Sequence, residues 1–498
     1  MEALLVALLF LLAALLLLLA VRDTRKPHKY PPGPAWLPLF GSFWAFHFLL
    51  RQLRYTHLAW ERLSSMYGPL VGLRLGRDCI VLVSGYPLVK ETLQREEFEG
   101  RPDGFLFRLR AFGKRLGIVF TDGELGQEQR RFVLRHLREL GLGRSSMQDR
   151  IINETKQFIT CLREKCEDGP VNVRHVVNVC ILNNLWGMLA GKRFCFNDKR
   201  LSQLLNYIHQ SFSLQDMSGG LLNQMPFIRY IAPERSTYNK NLEILSNTYS
   251  FLTEMIEEHK KTLNPNHTRD FIDAFLIEIK KNENNKDSTF TEEQLLVLLM
   301  DLFMAGSDST SNTLSFTILY LLHFPRIHDR VLAEIEEVVG NCRPPSLQDK
   351  PNMPYTEALI MEVLRFTNIA TVTVPHRAKQ QVLLDSYIIP KDVTLLVSLY
   401  SVHMDPDHWG DPHNFRPERF LDAEGNVKPD DWLIPFGLGR RRCLGETLAR
   451  PMLFLFLTSL LFHFRVSLPP GAALPSYAPV DGAILAPPPF SCVLTPRF

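Results

Sequence analysis

From Ala3 to Val21 the chain runs nineteen residues without a polar side chain, most of them leucine. At helical rise that run is about 28 Å long, close to the hydrocarbon thickness of a bilayer. Glu2 precedes it, and Arg22, Arg25 and Lys26 follow. A basic flank stays on the cytosolic side, so this pattern predicts a single-pass anchor over 3–21 with a lumenal amino terminus. A cleaved signal peptide is the competing reading, opposed by the length of the run and the lack of a positive leader. Pro31, Pro32, Pro34 and Pro38 then predict a stiff basic and proline-rich hinge over 22–41, because proline cannot continue the anchor helix.

Beyond the hinge the period changes. Val71, Leu73 and Leu75 alternate with other residues, Gly76-Arg77-Asp78 turns, and Cys79 to Val83 returns, which predicts a hairpin. Helical periodicity fills most of 145–263 and resumes at Thr291. Thr291-Glu292-Glu293-Gln294 is spaced as a capping box, and the apolar helix it opens should run to about His323, ahead of Pro325. That is roughly 33 residues and about 50 Å, enough to cross the whole body. Asp301 interrupts its apolar stretch, so a second membrane span is not expected. Strand-like pieces return at 382–389 and 394–398, before a proline-rich end of loops and strands. The pattern predicts a mainly α protein with small β-sheets, with one catalytic domain over 42–498.

Composition changes this picture little. The chain has 498 residues, 46% hydrophobic and 22% charged, with net charge +3, so nothing points to a nucleic-acid partner. Eight scattered cysteines form no C-x-x-C pair and suit a reducing compartment; most read as small buried hydrophobes. Asn153 and Asn266 sit in N-x-[ST] triplets that a cytosolic body would leave unmodified.

Candidate chemistry gathers near the carboxyl end, in Phe436-Gly437-Leu438-Gly439-Arg440-Arg441-Arg442-Cys443-Leu444-Gly445. Three glycines let backbone approach a flat ligand, and three arginines should lower the pKa of Cys443 towards thiolate. A thiolate on haem iron favours O–O cleavage. A basic turn beside a buried cysteine is the bland alternative. This stretch matches F-x-x-G-x-R-x-C-x-G of the cytochrome P450 family at every fixed position. Glu362-Val363-Leu364-Arg365 matches that family's E-x-x-R, Phe415 to Phe420 resembles its F-x-P-E-R-F, and Ala305 to Thr310 resembles A-G-x-[DE]-T-[TS]. With anchor and hinge, the resemblance covers essentially the whole chain.

The resemblance implies haem b with Cys443 as its axial iron ligand, and Phe436 and Gly439 in the surrounding loop. Arg101, Arg130, His376 and Arg441 match positions that hold haem propionates. Glu362 and Arg365, three apart on one helical face, would join Arg419 in a buried structural network; alone, such a pair is a weak surface bridge. Asp308, Ser309 and the nearby Thr310 would supply protons to bound oxygen, although back-bonding hydroxyls also distort helices. Ser309 stands where threonine is usual. Gly126 stands where the family's W-x-x-x-R has tryptophan, which removes an indole donor and should weaken haem retention. Arg131, Arg135 and Arg138 form one basic stripe, either a solvated face or a dock for an acidic reductase.

The implied activity is a monooxygenase fed with NADPH electrons by a separate flavoprotein reductase, at the endoplasmic reticulum membrane with its catalytic domain cytosolic. Its substrate would be small and lipophilic, bound near Phe105, Phe107, Phe112, Ala305, residues 369–374 and residues 483–485; the phenylalanines read equally well as core. The segments 114–123 and 270–276 look like animal microsomal members, and more narrowly like insect members that include methyl farnesoate epoxidase. A haem-thiolate isomerase or dehydratase that needs no reductase, and a non-catalytic haem-binding relative, are the alternatives.

Overall fold

Alternation at Val71, Leu73 and Leu75 does become a strand. Strand β1 (Leu70–Leu75) pairs antiparallel with β2 (Asp78–Val83), Leu73 opposite Ile80. Further along the chain come β3 (His376–Arg377), β4 (Val382–Leu384), β5 (Tyr387–Ile389), β6 (Thr394–Val397), β7 (Phe464–Ser467) and β8 (Val493–Pro496). The main sheet has the order β1-β2-β6-β3, with β2 and β6 parallel, while β4-β5 and β7-β8 are separate ribbons. Both faces of the main sheet are covered. Leu70, Val81 and Val83 pack with Tyr30 and Trp36, and Val71, Leu73 and Ile80 pack with Phe46 and Trp60.

The computed structural model describes residues 20–214 and 216–498, together with Leu5, Leu15 and Leu18. Most of the anchor expected over 3–21 therefore lies outside the described residues, and among those residues no helix is long and apolar enough to cross a membrane. The proline-rich segment is docked against the body. Gly72 donates its N–H to the Pro32 carbonyl at 2.7 Å, and Arg74 pairs with Asp23 at 2.6 Å. A Cβ on Gly33 would strike the Gly72 carbonyl, so only glycine permits this approach.

The remainder is mainly helical, built around the helix Glu292–His323. Thr291 caps it as its sequence predicts, accepting the Gln294 N–H on its hydroxyl at 3.1 Å. The reciprocal arm of the capping box does not form. Gln294 is fully buried, and its amide accepts from Gly117 N at 2.9 Å and donates to the Gly117 carbonyl, satisfying a loop instead of its own helix end. The helix packs most extensively on Val173–Leu189, where Gly306 leaves room for the Leu185 side chain. Only Cys161, Cys180 and Cys492 are buried, so most cysteines are not core hydrophobes; none is in a disulfide.

Candidate active site

A cavity of about 500 Å³ lies beneath the middle of the long helix, and Cys443 opens into it. Cys443 is exposed and lines this cavity. Its loop is closed by its own N–H, which donates to the Phe436 carbonyl at 2.9 Å, and Arg130 ties down the adjacent Arg442 carbonyl at 2.6 Å. The thiol does not have the lowered pKa expected from three neighbouring arginines. Burial pushes it up, against partial relief from the Gly445 and Glu446 N–H groups and Arg130. The arginines explain this: Arg440 turns to Glu96 and Glu99, and Arg441 donates to the carbonyls of Glu99 and Thr121 at 3.1 and 2.9 Å.

Arg101, Arg130, His376 and Arg441 line the same cavity. They reach it from four separate segments, which no local spacing reveals. Burial lowers the pKa of Arg101, and the charges of Arg441 and Arg130 lower it further. Among the carboxylates, Asp122 opposes this cluster, yet it is already held by Arg377 at 2.7 Å, Arg115 at 3.0 Å and the Arg101 N–H at 2.7 Å. The pocket wall thus carries a cationic excess beside a cysteine and an apolar chamber. A flat macrocycle with two carboxylates and a thiolate-bound iron fits that donor set. His376 joins only conditionally. Burial and the charge of Arg101 hold its pKa well below the usual range, and its Nδ1 contacts the Phe98 carbonyl at 2.8 Å. The neutral ring therefore donates there, and Nε2 becomes a donor only when an anion brings a second proton.

Phe436 and Gly437 line the cavity, and Gly439 does not. Gly439 adopts a φ of 71°, and a Cβ there would run into the Leu93 carbonyl. Its glycine serves backbone packing on the helix Tyr86–Gln94, not contact with a ligand. Gly126 is buried in the helix Gly123–Glu139, and a Cβ on it would lie 3.1 Å from the Thr121 carbonyl carbon and oxygen. The loop carrying Thr121 occupies space that a side chain at 126 would claim.

Ser309 and Thr310 line the cavity, while Asp308 points elsewhere. Asp308 is fully buried, with Oδ2 at 3.4 Å from His209 Nδ1 and with Oδ1 lacking a partner among the described residues. Arg174 approaches the same histidine nitrogen at 3.1 Å and bonds Asn312 at 3.0 Å. Asp308 is thus set one side of the helix away from the chamber, with half-buried His209 between it and solvent. The hydroxyl of Ser309 donates to the Ala305 carbonyl at 2.9 Å, leaving its oxygen as an acceptor. Of the expected pocket residues, Phe107, Ala305, Ile369, Ala370, Val372 to Val374, Ala483 and Ile484 line the cavity. Phe105, Phe112, Thr371 and Leu485 are not among its lining residues: Phe105 lies under Arg229, and the exposed Phe112 stacks on Tyr249.

Glu362, Arg365 and Arg419 do meet. Arg365 clasps Glu362 at 2.7 and 2.8 Å, and Arg419 reaches the same carboxylate at 3.0 Å, with Glu362 and Arg365 fully buried. The Arg416 N–H adds a bond to Glu362 at 2.9 Å, and Asp411 braces Arg419 at 3.2 Å. His403 and Asp411, missed in the sequence, complete this network. No local periodicity marks His403, whose carbonyl meets Arg365 across 38 residues, and Asp411 joins only through Arg419, whose bond to Glu362 spans 57 residues. The stripe Arg131, Arg135 and Arg138 is exposed on the outer side of the Arg130 helix, around a shallow hollow shared with Arg144.

A family model described as Cytochrome P450 matches residues 31–494. The chain is 41% identical over 468 residues to the farnesoate epoxidase of Bombyx mori, covering 94% of each. It is 38% identical over 503 residues to the probable cytochrome P450 305a1 of Drosophila melanogaster, covering 99% of each. Against cytochrome P450 2J2 of Homo sapiens it is 37% identical over 448 residues, 89% of this chain and 87% of the other.

Proposed function

Since the chain belongs to the cytochrome P450 family and is a monooxygenase, we propose that it epoxidises or hydroxylates an elongated lipophilic substrate, with methyl farnesoate, the methyl ester of the acid in the Bombyx mori relative's name, first among candidates. One observation carries this reading: Cys443, the cationic group Arg101, Arg130 and Arg441, and the hydroxyls of Ser309 and Thr310 all open into one chamber. Haem, when bound, supplies the reductive activation of dioxygen. Cys443 Sγ would ligate the iron, and Arg101, Arg130 and Arg441 would hold the propionates. Ser309 Oγ and Thr310 Oγ1 would carry protons into the chamber, resupplied from Asp308, while the apolar wall excludes bulk water.

Electrons come, in this reading, from NADPH through a flavoprotein reductase docked on Arg131, Arg135 and Arg138, an attraction that weakens with salt. Endoplasmic-reticulum attachment is supported by the apolar run at 3–21 and by a second feature. Leu37, Leu39, Trp44 and Phe48 are exposed, as are Phe227, Tyr230 and Ile231. The β1–β2 turn links the two groups, through Gly76 N to Phe40 O at 3.1 Å and Arg77 N to Gln224 O at 3.2 Å. Two apolar groups joined through one turn suit a bilayer surface.

The test is the full-length protein, reduced under carbon monoxide and then supplied with reductase, NADPH and methyl farnesoate. A thiolate-type absorbance band followed by NADPH-dependent product supports the proposal. Turnover without NADPH would move it to an isomerase or dehydratase, and folded protein without the band would make it a non-catalytic relative.

A further inference from the structure

One cation of the chamber belongs to neither the cysteine loop nor the propionate group. Arg110 follows the short helix Phe105–Leu109 and lines the cavity wall, with its guanidinium 5.1 Å from the centre of the Phe120 ring. Its Nη2 donates to Asp301 on the long helix, whose carboxylate also accepts the Ile118 and Val119 N–H groups at 2.7 and 3.0 Å. The Tyr249 hydroxyl binds the Arg110 carbonyl, so backbone and side chain are both held. Yet Arg110 Nη1 is buried and has no hydrogen-bond partner among the described residues. A buried cationic N–H left without an acceptor is costly, and such groups are paired when a site is complete.

We propose that Arg110, oriented by Asp301, is a polar subsite for the carbonyl of a neutral ester at the far end of an otherwise apolar substrate. This deepens the reading above and rests on it. Charge decides between ester and acid. Asp301 already balances Arg110, so the spare N–H calls for a neutral acceptor, and an ionised carboxylate at this point would compete with Asp301 for one guanidinium. Position decides the length. Asp301 and Ser309 are eight residues apart on one helix, about 12 Å along its axis. At the reach of an extended chain this is on the order of ten bonds, so the reacting carbon lies about that far from the carbonyl.

The measurement is equilibrium dialysis of the full-length holoenzyme against three probes of equal chain length: methyl farnesoate, farnesoic acid and the hydrocarbon farnesene. Wild-type protein should bind the ester more tightly than the acid. Arg110→Leu should weaken ester binding about tenfold, the worth of one such bond, and leave farnesene unchanged. Arg110→Gln, which keeps a donor, should recover part of the loss, and retention of the thiolate-type band shows that the variants fold. Equal ester affinity in wild type and Arg110→Leu overturns the proposal. So does a wild-type preference for the acid, or a uniform loss across all three probes. Because dialysis reads binding and not turnover, Arg110-dependent ester binding without oxidation would sink the substrate reading and leave the subsite standing.

Discussion

His403 accepts the backbone N–H of Ile434 on its Nε2 at 3.0 Å, two residues ahead of the loop that begins at Phe436. The carbonyl of the same histidine accepts from Arg365 Nη1 at 2.8 Å. One buried residue therefore couples, through its carbonyl and its ring, the Glu362–Arg365 pair to the stretch of chain that presents Cys443. Its Nδ1 faces the Asn368 Oδ1 at 2.8 Å, which fixes the neutral tautomer with the proton on Nδ1. His403→Ala should leave the Ile434 N–H unsatisfied and release haem several-fold faster, measured by transfer of haem to an acceptor protein.

The same histidine sets a pH dependence. Burial, reinforced by the charge of Arg365, depresses its pKa to about 3. The unfolded chain takes up this proton near pH 6.5, about the ordinary value, so between there and pH 3 the unfolded state binds one proton more. Stability is therefore full above about pH 6.5 and falls on acidification, by up to about 1.4 kcal/mol per pH unit for this group. Urea unfolding from pH 7 to 4 should show the loss, and His403→Gln should make the slope shallower by one proton.

Removal of Glu362 leaves Arg365 and Arg419 charged and buried with no carboxylate between them. Glu362→Ala should cost about 3–5 kcal/mol, the range for breaking a buried pair. Arg419→Ala leaves the Glu362–Arg365 clasp intact and should cost less. Denaturant midpoints and haem content should fall together in both variants; unchanged haem content at reduced stability would separate the network from the cysteine loop.

At Gly126 two effects compete. Any side chain gains helix propensity, up to about 1 kcal/mol over glycine, while Thr121 stands 3.1 Å from a new Cβ. The Thr121 carbonyl is anchored by Arg441 and the Thr121 hydroxyl by Gly117, so the loop yields only by breaking bonds. Overpacking of this kind costs about 1–3 kcal/mol, and a full indole costs more than a methyl. Gly126→Trp should lower the thermal midpoint and not improve haem retention. A rise in both would show that the loop retreats freely.

Ser309 and Asp308 should separate in kinetics. Ser309→Ala removes the cavity hydroxyl and should raise peroxide release while lowering product per NADPH about tenfold. That is short of the roughly hundredfold worth of a positioned proton donor, because Thr310 shares the wall. Asp308→Asn should slow turnover without changing substrate affinity, since Asp308 does not touch the chamber. Equal product and peroxide yields in wild type and Ser309→Ala would remove the hydroxyl from proton supply.

Much of this molecule is written in local pattern. Thr291 capping Gln294, the alternation of β1 and the shared face of Glu362 and Arg365 each involve residues within one element, where spacing alone brings atoms together. The cysteine loop is likewise contiguous, so Cys443 and its neighbours stand out without a fold. What needed the tertiary structure are the partners that lie far apart in the chain: Arg101 with Arg441, Arg110 with Asp301 and, 31 residues apart, His403 with Ile434. Direction also belongs to the fold. Asp308 and Ser309 are neighbours in sequence, yet helical rotation and the packing of Arg174 and His209 send one away from the chamber and leave the other facing it. The pKa of Cys443 followed the same rule, because nearby arginines in sequence bond to other groups in space, and desolvation then outweighs their charge.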